Sequence, residues 1–148
     1  MLFGPAYKGI PLVSAITIAL AESGHNHSFC FNRKEAKDHG EGGSMVGAPV
    51  RGRVVIVDDV ITDGGQKREA IELIRGQGAL PVGILIALDR QERGQGAASP
   101  VQELEQQYGV RVMAIATLAD VFTFMRGRPQ LTPFLPKIEQ YREAYGVH

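Results

Sequence analysis

Cysteine is almost missing from this 148-residue chain, Cys30 being the only one. One thiol cannot form an intramolecular disulfide, and one ligand cannot build a cysteine-based zinc site. The chain therefore suits a reducing compartment, and a cytoplasmic location is expected. Net charge is missing too, with 16 Lys+Arg against 16 Asp+Glu. That balance argues against a protein whose main work is neutralising nucleic-acid phosphates or coating an anionic membrane, so neither is expected as a partner. No apolar run is long enough to span a membrane; the longest, Ile10 to Ala21, is interrupted by Ser14 and Thr17. No basic stretch precedes an apolar segment at the N-terminus, so no secretory signal is visible. Repeats, low-complexity tracts and linkers are also absent, and the length suits one domain over 1–148.

Glycine, by contrast, is plentiful: 18 of 148 residues, about 12% against a usual ~7%. No Gly-X-Y period runs through them, so they point to many tight loops. Between the loops, short β-branched runs alternate with longer amphipathic ones. Ser28–Asn32, Val54–Val57, Val82–Leu88 and Arg111–Ala116 read as strands, and runs apolar throughout suit a sheet covered on both faces. Helical spacing follows Pro11 (Leu12, Ile16, Ala19, Leu20) and fills Gln66–Gly76, where Ala70, Ile71, Leu73 and Ile74 share a side. Ser99-Pro100 opens a third helix with a cap-like serine, and Thr117–Met125 and Pro133–Tyr145 read as two more. Strand alternating with helix predicts an α/β fold, an open parallel sheet flanked by helices. Ligands in such sheets sit at the carboxyl ends of the strands beside the topological switch point. That directs attention to Gly4–Gly9, Asp58–Gly65 and Asp89–Arg90.

In Val54–Gly65 an apolar strand delivers two adjacent carboxylates, Asp58 and Asp59, and a glycine turn then opens a helix. Amides at a helix start can bind an anion, and glycine lets backbone approach a phosphate closely. Paired acids can accept hydrogen bonds from sugar hydroxyls or bind a hard cation. The same residues also suit a plain capped turn, Asp63 and Gln66 having capping-box spacing. Lys8, between Gly4 and Gly9, is a point charge on a bendable loop, although a lysine beside glycine is usually just a surface lysine. Arg33, Lys34, Lys37 and His39 precede Gly40, Gly42, Gly43 and Gly47, a composition that suits either a solvated charged loop or a lid closing over a polyanion. Arg90 at a strand end can clamp a carboxylate bidentately, or serve in a surface ion pair. Cys30 on a strand-like run reads as a buried small hydrophobe, and His25, His27 and His148 as surface residues.

The Val54–Gln66 stretch resembles the phosphoribosyl-diphosphate (PRPP) motif of type I phosphoribosyltransferases. Leu2–Pro11 resembles the pyrophosphate loop, and Cys30–Gly43 the mobile catalytic loop, of the orotate phosphoribosyltransferases within that family. Leu88–Arg93 matches a fourth segment, in the same order and at similar spacing.

The resemblance implies the type I phosphoribosyltransferase fold, with its first core strand truncated here, and a mobile loop over about 33–50. It implies transfer of ribose 5-phosphate from PRPP to N1 of orotate, giving orotidine 5′-monophosphate and pyrophosphate in pyrimidine biosynthesis. Mg²⁺ is the implied cofactor, bound mainly through PRPP and with no metal ligands of the chain's own. The implied PRPP-binding residues are Tyr7, Lys8, Arg33, Lys34, Lys37 and His39, with the run Asp58, Asp59, Val60, Ile61, Thr62, Asp63, Gly64, Gly65 and Gln66. Lys37, Asp58 and Asp59 carry the catalytic roles, and Thr62 and Arg90 meet orotate. The implied assembly is a homodimer in which Arg33, Lys34, Lys37 and His39 reach into the neighbouring site.

Two departures from the family pattern stand out. The family turn reads like Thr-Ala-Gly-Thr-Ala, whereas this one is Thr62-Asp63-Gly64-Gly65-Gln66. It loses a threonine hydroxyl near the 5′-phosphate and gains a carboxylate, which is expected to weaken PRPP binding by like-charge repulsion. The chain also starts inside the family pattern, without the upstream segment that forms a hood over the base. The chain alone is therefore expected to be weakly active or inactive. The alternative is a non-catalytic PRPP-binding or remnant protein of the same fold. A receiver-like signalling domain also ends a strand in paired acids, but it has no place for the cationic glycine-rich segment.

Overall fold

The computed structural model describes the backbone of residues 1–37 and 43–147 and the side chains of 1–34 and 44–147. In chain order the elements are β1 (Leu2–Gly4), α1 (Gly9–Glu22), β2 (Phe29–Lys37), β3 (Gly43–Gly47), β4 (Arg53–Asp58), α2 (Gly65–Gly76), β5 (Leu80–Asp89), α3 (Pro100–Tyr108), β6 (Arg111–Thr117) and α4 (Leu118–Arg126). A 3₁₀ segment (Pro129–Phe134) and α5 (Leu135–Tyr145) complete the chain.

The six strands form one sheet in the order β3-β2-β1-β4-β5-β6. Every pairing is parallel except β2 with β3. The sheet is thus mostly parallel, as expected, with one antiparallel pairing at its edge. The exception is β3, which reads as glycine-rich loop in the sequence but pairs with β2 from Cys30↔Gly47 to Lys37↔Gly43. The stretch expected as a mobile loop over 33–50 contains, among its described residues, the end of β2 and the whole of β3. β2 correspondingly runs five residues beyond the expected end at Asn32.

From β1 the chain crosses to β2 on one side, and from β4 to β5 and β6 on the other. Right-handed crossovers then place α1 on one face and α2 and α3 on the opposite face. The order reverses between β1 and β4, which opens the crevice beyond their carboxyl ends. The core lies between the sheet and α2 and α3: Phe3, Ile56, Ile71, Ile74, Ile84, Ile86 and Leu104 are all fully buried. Cys30 is buried with them, and burial pushes its thiol pKa up to about 11, which suits the apolar role and not a nucleophile.

Local signals explain most boundaries. The Ser99 hydroxyl accepts from the Gln102 amide at 3.1 Å while the Gln102 side chain accepts from the Ser99 amide at 2.8 Å, so α3 opens on a full capping box as its sequence suggests. Thr117 and Asp120 do the same for α4. The last helix begins at Leu135, later than expected, because the segment containing Pro133 winds as a 3₁₀ turn before α5 starts. His25 and His27 are exposed, and His148 lies outside the described residues.

Candidate active site

Two loops meet at the switch point. The first, 5–8, joins β1 to α1. Its Ala6 amide donates to the Asn32 side-chain carbonyl at 2.9 Å, which ties the loop to β2. The Ala6–Tyr7 peptide is cis. Gly9 packs so tightly that a Cβ there would lie 2.6 Å from Pro5 Cδ and 2.9 Å from the Val57 carbonyl oxygen. Only glycine lets α1 start this close to the end of β4.

The second loop follows β4. Asp58, its last residue, is buried: Oδ2 accepts from Lys67 Nζ, and Oδ1 accepts from the Asp59 amide at 2.9 Å. Asp59 is partly exposed and meets Lys8 of the first loop at 2.6 Å. The two adjacent acids therefore face different surroundings. The Asp59 carbonyl accepts from the Ala87 and Leu88 amides, fixing the turn against β5.

Gly64 adopts φ +78°, a left-handed conformation that favours glycine, and α2 starts at Gly65. This corrects the capping box expected from Asp63 and Gln66. The left-handed Gly64 occupies the cap position, so the Asp63 carboxylate accepts from the Gly65 amide at 3.0 Å and from the Thr62 hydroxyl at 3.4 Å, and not from the Gln66 amide. The Gly65 amide, helped by the Asp63 and Thr62 hydrogen bonds and by Arg68, holds the Asp63 carboxyl below the usual carboxylate range. Thr62 and Gln66 are exposed, Val60 and Gly65 partly so, whereas the Ile61 side chain belongs to the core and can offer a ligand only its backbone.

Lys34 Nζ lies 5.2 Å over the Tyr7 ring of the same chain. β2 runs beside β1, so a side chain at this point of β2 overhangs the loop that β1 feeds. Arg33, its neighbour on the strand, is partly buried. The Lys37 side chain and His39 lie outside the described residues.

Arg90, just beyond β5, pairs with Glu92 at 2.8 Å, and its Nε is buried without a hydrogen-bond partner among the described residues. It lines a cavity of about 600 Å³ with Gln102, Leu118 and Arg142. The structure thus brings Tyr7, Lys8, Lys34 and Asp59 together, and places Arg90 on the same sheet edge with its guanidinium turned to Glu92. Sequence reasoning missed Asn32 and Lys67. The signal for Lys67 was available, since it stands three and four residues before Ala70 and Ile71 on the buried stripe of α2.

The Lys8–Asp59 pair has a definite pH window. Burial pushes the Asp59 carboxyl up, but the Lys8 hydrogen bond, the Val60 amide and the Lys8 charge outweigh it, and the net shift is downward. The Asp59 hydrogen bond and charge push the Lys8 ammonium up. Stability from the depressed carboxylate is present above its unfolded value and lost as pH falls through the folded one. Stability from the raised ammonium is present below its unfolded value and lost as pH rises through the folded one. The pair therefore holds across the whole neutral range. A ¹³C titration is expected to give Asp59 a lower midpoint in the parent than in a Lys8→Ala chain; equal midpoints would show that the pair does not form in solution.

A cation and an acid thus meet at the switch point, beside a glycine turn opening a helix, an arrangement that can receive an anionic ligand. The family model for the phosphoribosyl transferase domain matches residues 1–120. The orotate phosphoribosyltransferase of Thioalkalivibrio sulfidiphilus is 60% identical over 148 residues, covering 99% of this chain and 70% of the relative. That of Nitrosospira multiformis is 58% identical over 145 residues, covering 98% of this chain and 64% of the relative. The crystal structure of the Francisella tularensis orotate phosphoribosyltransferase superposes with a TM-score of 0.81 at 32% identity, over 98% of this chain and 66% of that one. The chain belongs to the orotate phosphoribosyltransferase family. It spans about two thirds of the length of these relatives, just under that share for the Nitrosospira and Francisella proteins.

Proposed function

We propose that this chain binds PRPP at the β1–α1 and β4–α2 loops and that, in the complete protein, the site transfers ribose 5-phosphate to orotate. The observation that carries the reading is the meeting of Lys8 and Asp59 at the crevice mouth, beside the turn that opens α2. The ammonium can exchange its carboxylate partner for a pyrophosphate oxygen, and Asp59 is then free to accept a hydrogen bond from a ribose hydroxyl. A carboxylate near the sugar also favours the positive charge that develops at C1 as the glycosidic bond breaks. Amides of the turn and the first residues of α2 face the 5′-phosphate, and Arg90 is the candidate for the orotate carboxylate once it leaves Glu92. Lys37 and His39 are proposed to close over the pyrophosphate, and Thr62 to meet orotate, by family resemblance. A homodimer in which Arg33, Lys34, Lys37 and His39 reach into the neighbouring site, and a cytoplasmic location, are proposed on the same ground. No helix among the described residues is long and apolar enough to cross a membrane.

Among the described residues no group of three His, Cys, Asp or Glu side chains is placed to hold a metal, and both oxygens of Asp58 are engaged. The donor set fits Mg²⁺ held chiefly by substrate oxygens, with Asp59 the acid open enough to join. Bound in that way, the ion supplies neutralisation of the leaving pyrophosphate charge.

The test is to mix the purified chain with orotate, PRPP and Mg²⁺, follow the loss of orotate absorbance, and titrate PRPP by calorimetry. Turnover supports the transferase. PRPP binding without turnover supports the binding module. Neither turnover nor binding defeats both.

Asp63 gives a sharper prediction. Its carboxylate occupies the Gly65 amide, one of those offered to a phosphate. Asp63→Ala is expected to tighten PRPP about threefold, because a like charge leaves the helix N-terminus. It is also expected to lower the melting temperature by about 2–4 °C, because the Gly65 amide loses its charged hydrogen-bond partner. Unchanged PRPP affinity in calorimetry would refute the repulsion.

A further inference from the structure

Lys67 occupies a position where the periodicity of α2 calls for an apolar residue: Lys67, Ala70, Ile71 and Ile74 form its buried stripe. Its side chain is 3% exposed and that of its partner Asp58 is 5% exposed. A lysine is almost never buried this far unless paired, and a charge pair in a core is a poor source of stability compared with apolar packing. Its position is more informative. The pair joins the last residue of β4 to the first turn of α2, bracketing the turn 59–64 that carries Asp59 and leads into the phosphate-facing amides. Asp58 completes the bracket by accepting the Asp59 amide at 2.9 Å through its second oxygen. With both oxygens engaged inside the protein, Asp58 has no open face toward the crevice, while Asp59 lies at its mouth with 29% of its side chain exposed.

We propose that Lys67 is a positioning residue: by holding Asp58 inside, it fixes the turn after β4 and leaves Asp59 as the acid that meets the ribose. Asp58 then acts through Lys67 and through the Asp59 backbone, without touching the ligand. The ligand part of this proposal rests on the PRPP reading above; the positioning part does not.

The test uses the full 148-residue chain as parent, Lys67→Met, Asp58→Asn and the double variant. The double variant leaves no stranded charge in the core, so it keeps the test alive if Lys67→Met does not fold. The first measurement is amide hydrogen exchange without ligand. Exchange at the Asp59 and Gly65 amides is expected to speed up about tenfold in Lys67→Met and in the double variant, while amides of β5 and β6 change far less. The second is PRPP titration with Mg²⁺ by calorimetry. Each single variant is expected to weaken binding about tenfold, and the double no further than the weaker single, because both changes break one linkage. Exchange at Asp59 and Gly65 in the folded double variant within about twofold of the parent would overturn the positioning role. Additive losses of PRPP affinity would show that Asp58 touches the ligand independently, which also overturns the assignment. If the parent itself binds no PRPP, the ligand reading fails, and the exchange measurement still decides the role of Lys67.

Discussion

A Gly9→Val chain is expected to melt about 10 °C below the parent and to lose measurable PRPP binding. The cause is local and steric. A Cβ at this position would sit 2.6 Å from Pro5 Cδ, 2.8 Å from the Gly4 carbonyl carbon and 2.9 Å from the Val57 carbonyl oxygen. Two of those three atoms are backbone, so no side chain can swing aside to make room. Overpacking of this kind costs about 3 kcal/mol, and in a chain of this length each kcal/mol moves the melting temperature by about 2–4 °C. The functional loss follows from the same contacts. Relieving them pushes the 5–8 loop and the start of α1 away from the end of β4, and Lys8 moves away from Asp59. Calorimetry of the folded fraction separates the two effects. A Gly9→Val chain that binds PRPP like the parent would show that loop 5–8 takes no part in the site.

Lys8→Ala is expected to weaken PRPP binding about tenfold at low salt and to make the remaining affinity less dependent on ionic strength. Lys8 is well exposed, and an exposed lysine held only by solvent would spend entropy to reach a phosphate. Its 2.6 Å contact with Asp59 places the ammonium at the crevice mouth beforehand. The exchange of partners on binding then serves both residues, the ammonium taking pyrophosphate and the carboxylate taking a sugar hydroxyl. Lys8→Arg keeps the charge but replaces a compact ammonium with a planar fork, and it is expected to fall between the parent and Lys8→Ala. Equal affinities for parent and Lys8→Ala in a salt series would remove Lys8 from the site.

The parts of the fold that could be read from sequence were those with strong local signals. The apolar run of β4 ending in paired acids, the capping residues of α3 and the apolar stripe of α2 each point to one structure through propensity and period. β3 was not legible, because a strand with glycine at both ends owes its form to its partner across the sheet and not to its own residues. The contact between Lys34 and Tyr7 was hidden for a similar reason: it depends on β2 lying beside β1, a matter of sheet order. At the site, family resemblance located the acids but treated them as equivalent. Their opposite surroundings come from Lys67, whose charge suggests a surface residue until its place on the helical stripe is counted. The shift from an Asp63 cap to a left-handed Gly64 is a one-residue matter of backbone geometry, below the resolution of spacing rules.

The solitary thiol has a practical consequence. Cys30 pairs with Phe3 in the register of β1 and β2, at the base of the strand that feeds loop 5–8. With its pKa raised to about 11, the thiol is almost wholly protonated at neutral pH, and no solvent reaches it in the closed sheet. Thiol-directed reagents can therefore reach Cys30 only when the sheet or the layer packed on it opens locally. The rate of labelling becomes a clock for that opening, read by mass alone and without an engineered probe. A ligand that bridges loop 5–8 to the end of β4 should slow the clock in proportion to its occupancy, so the inert cysteine doubles as a binding assay for the site beside it.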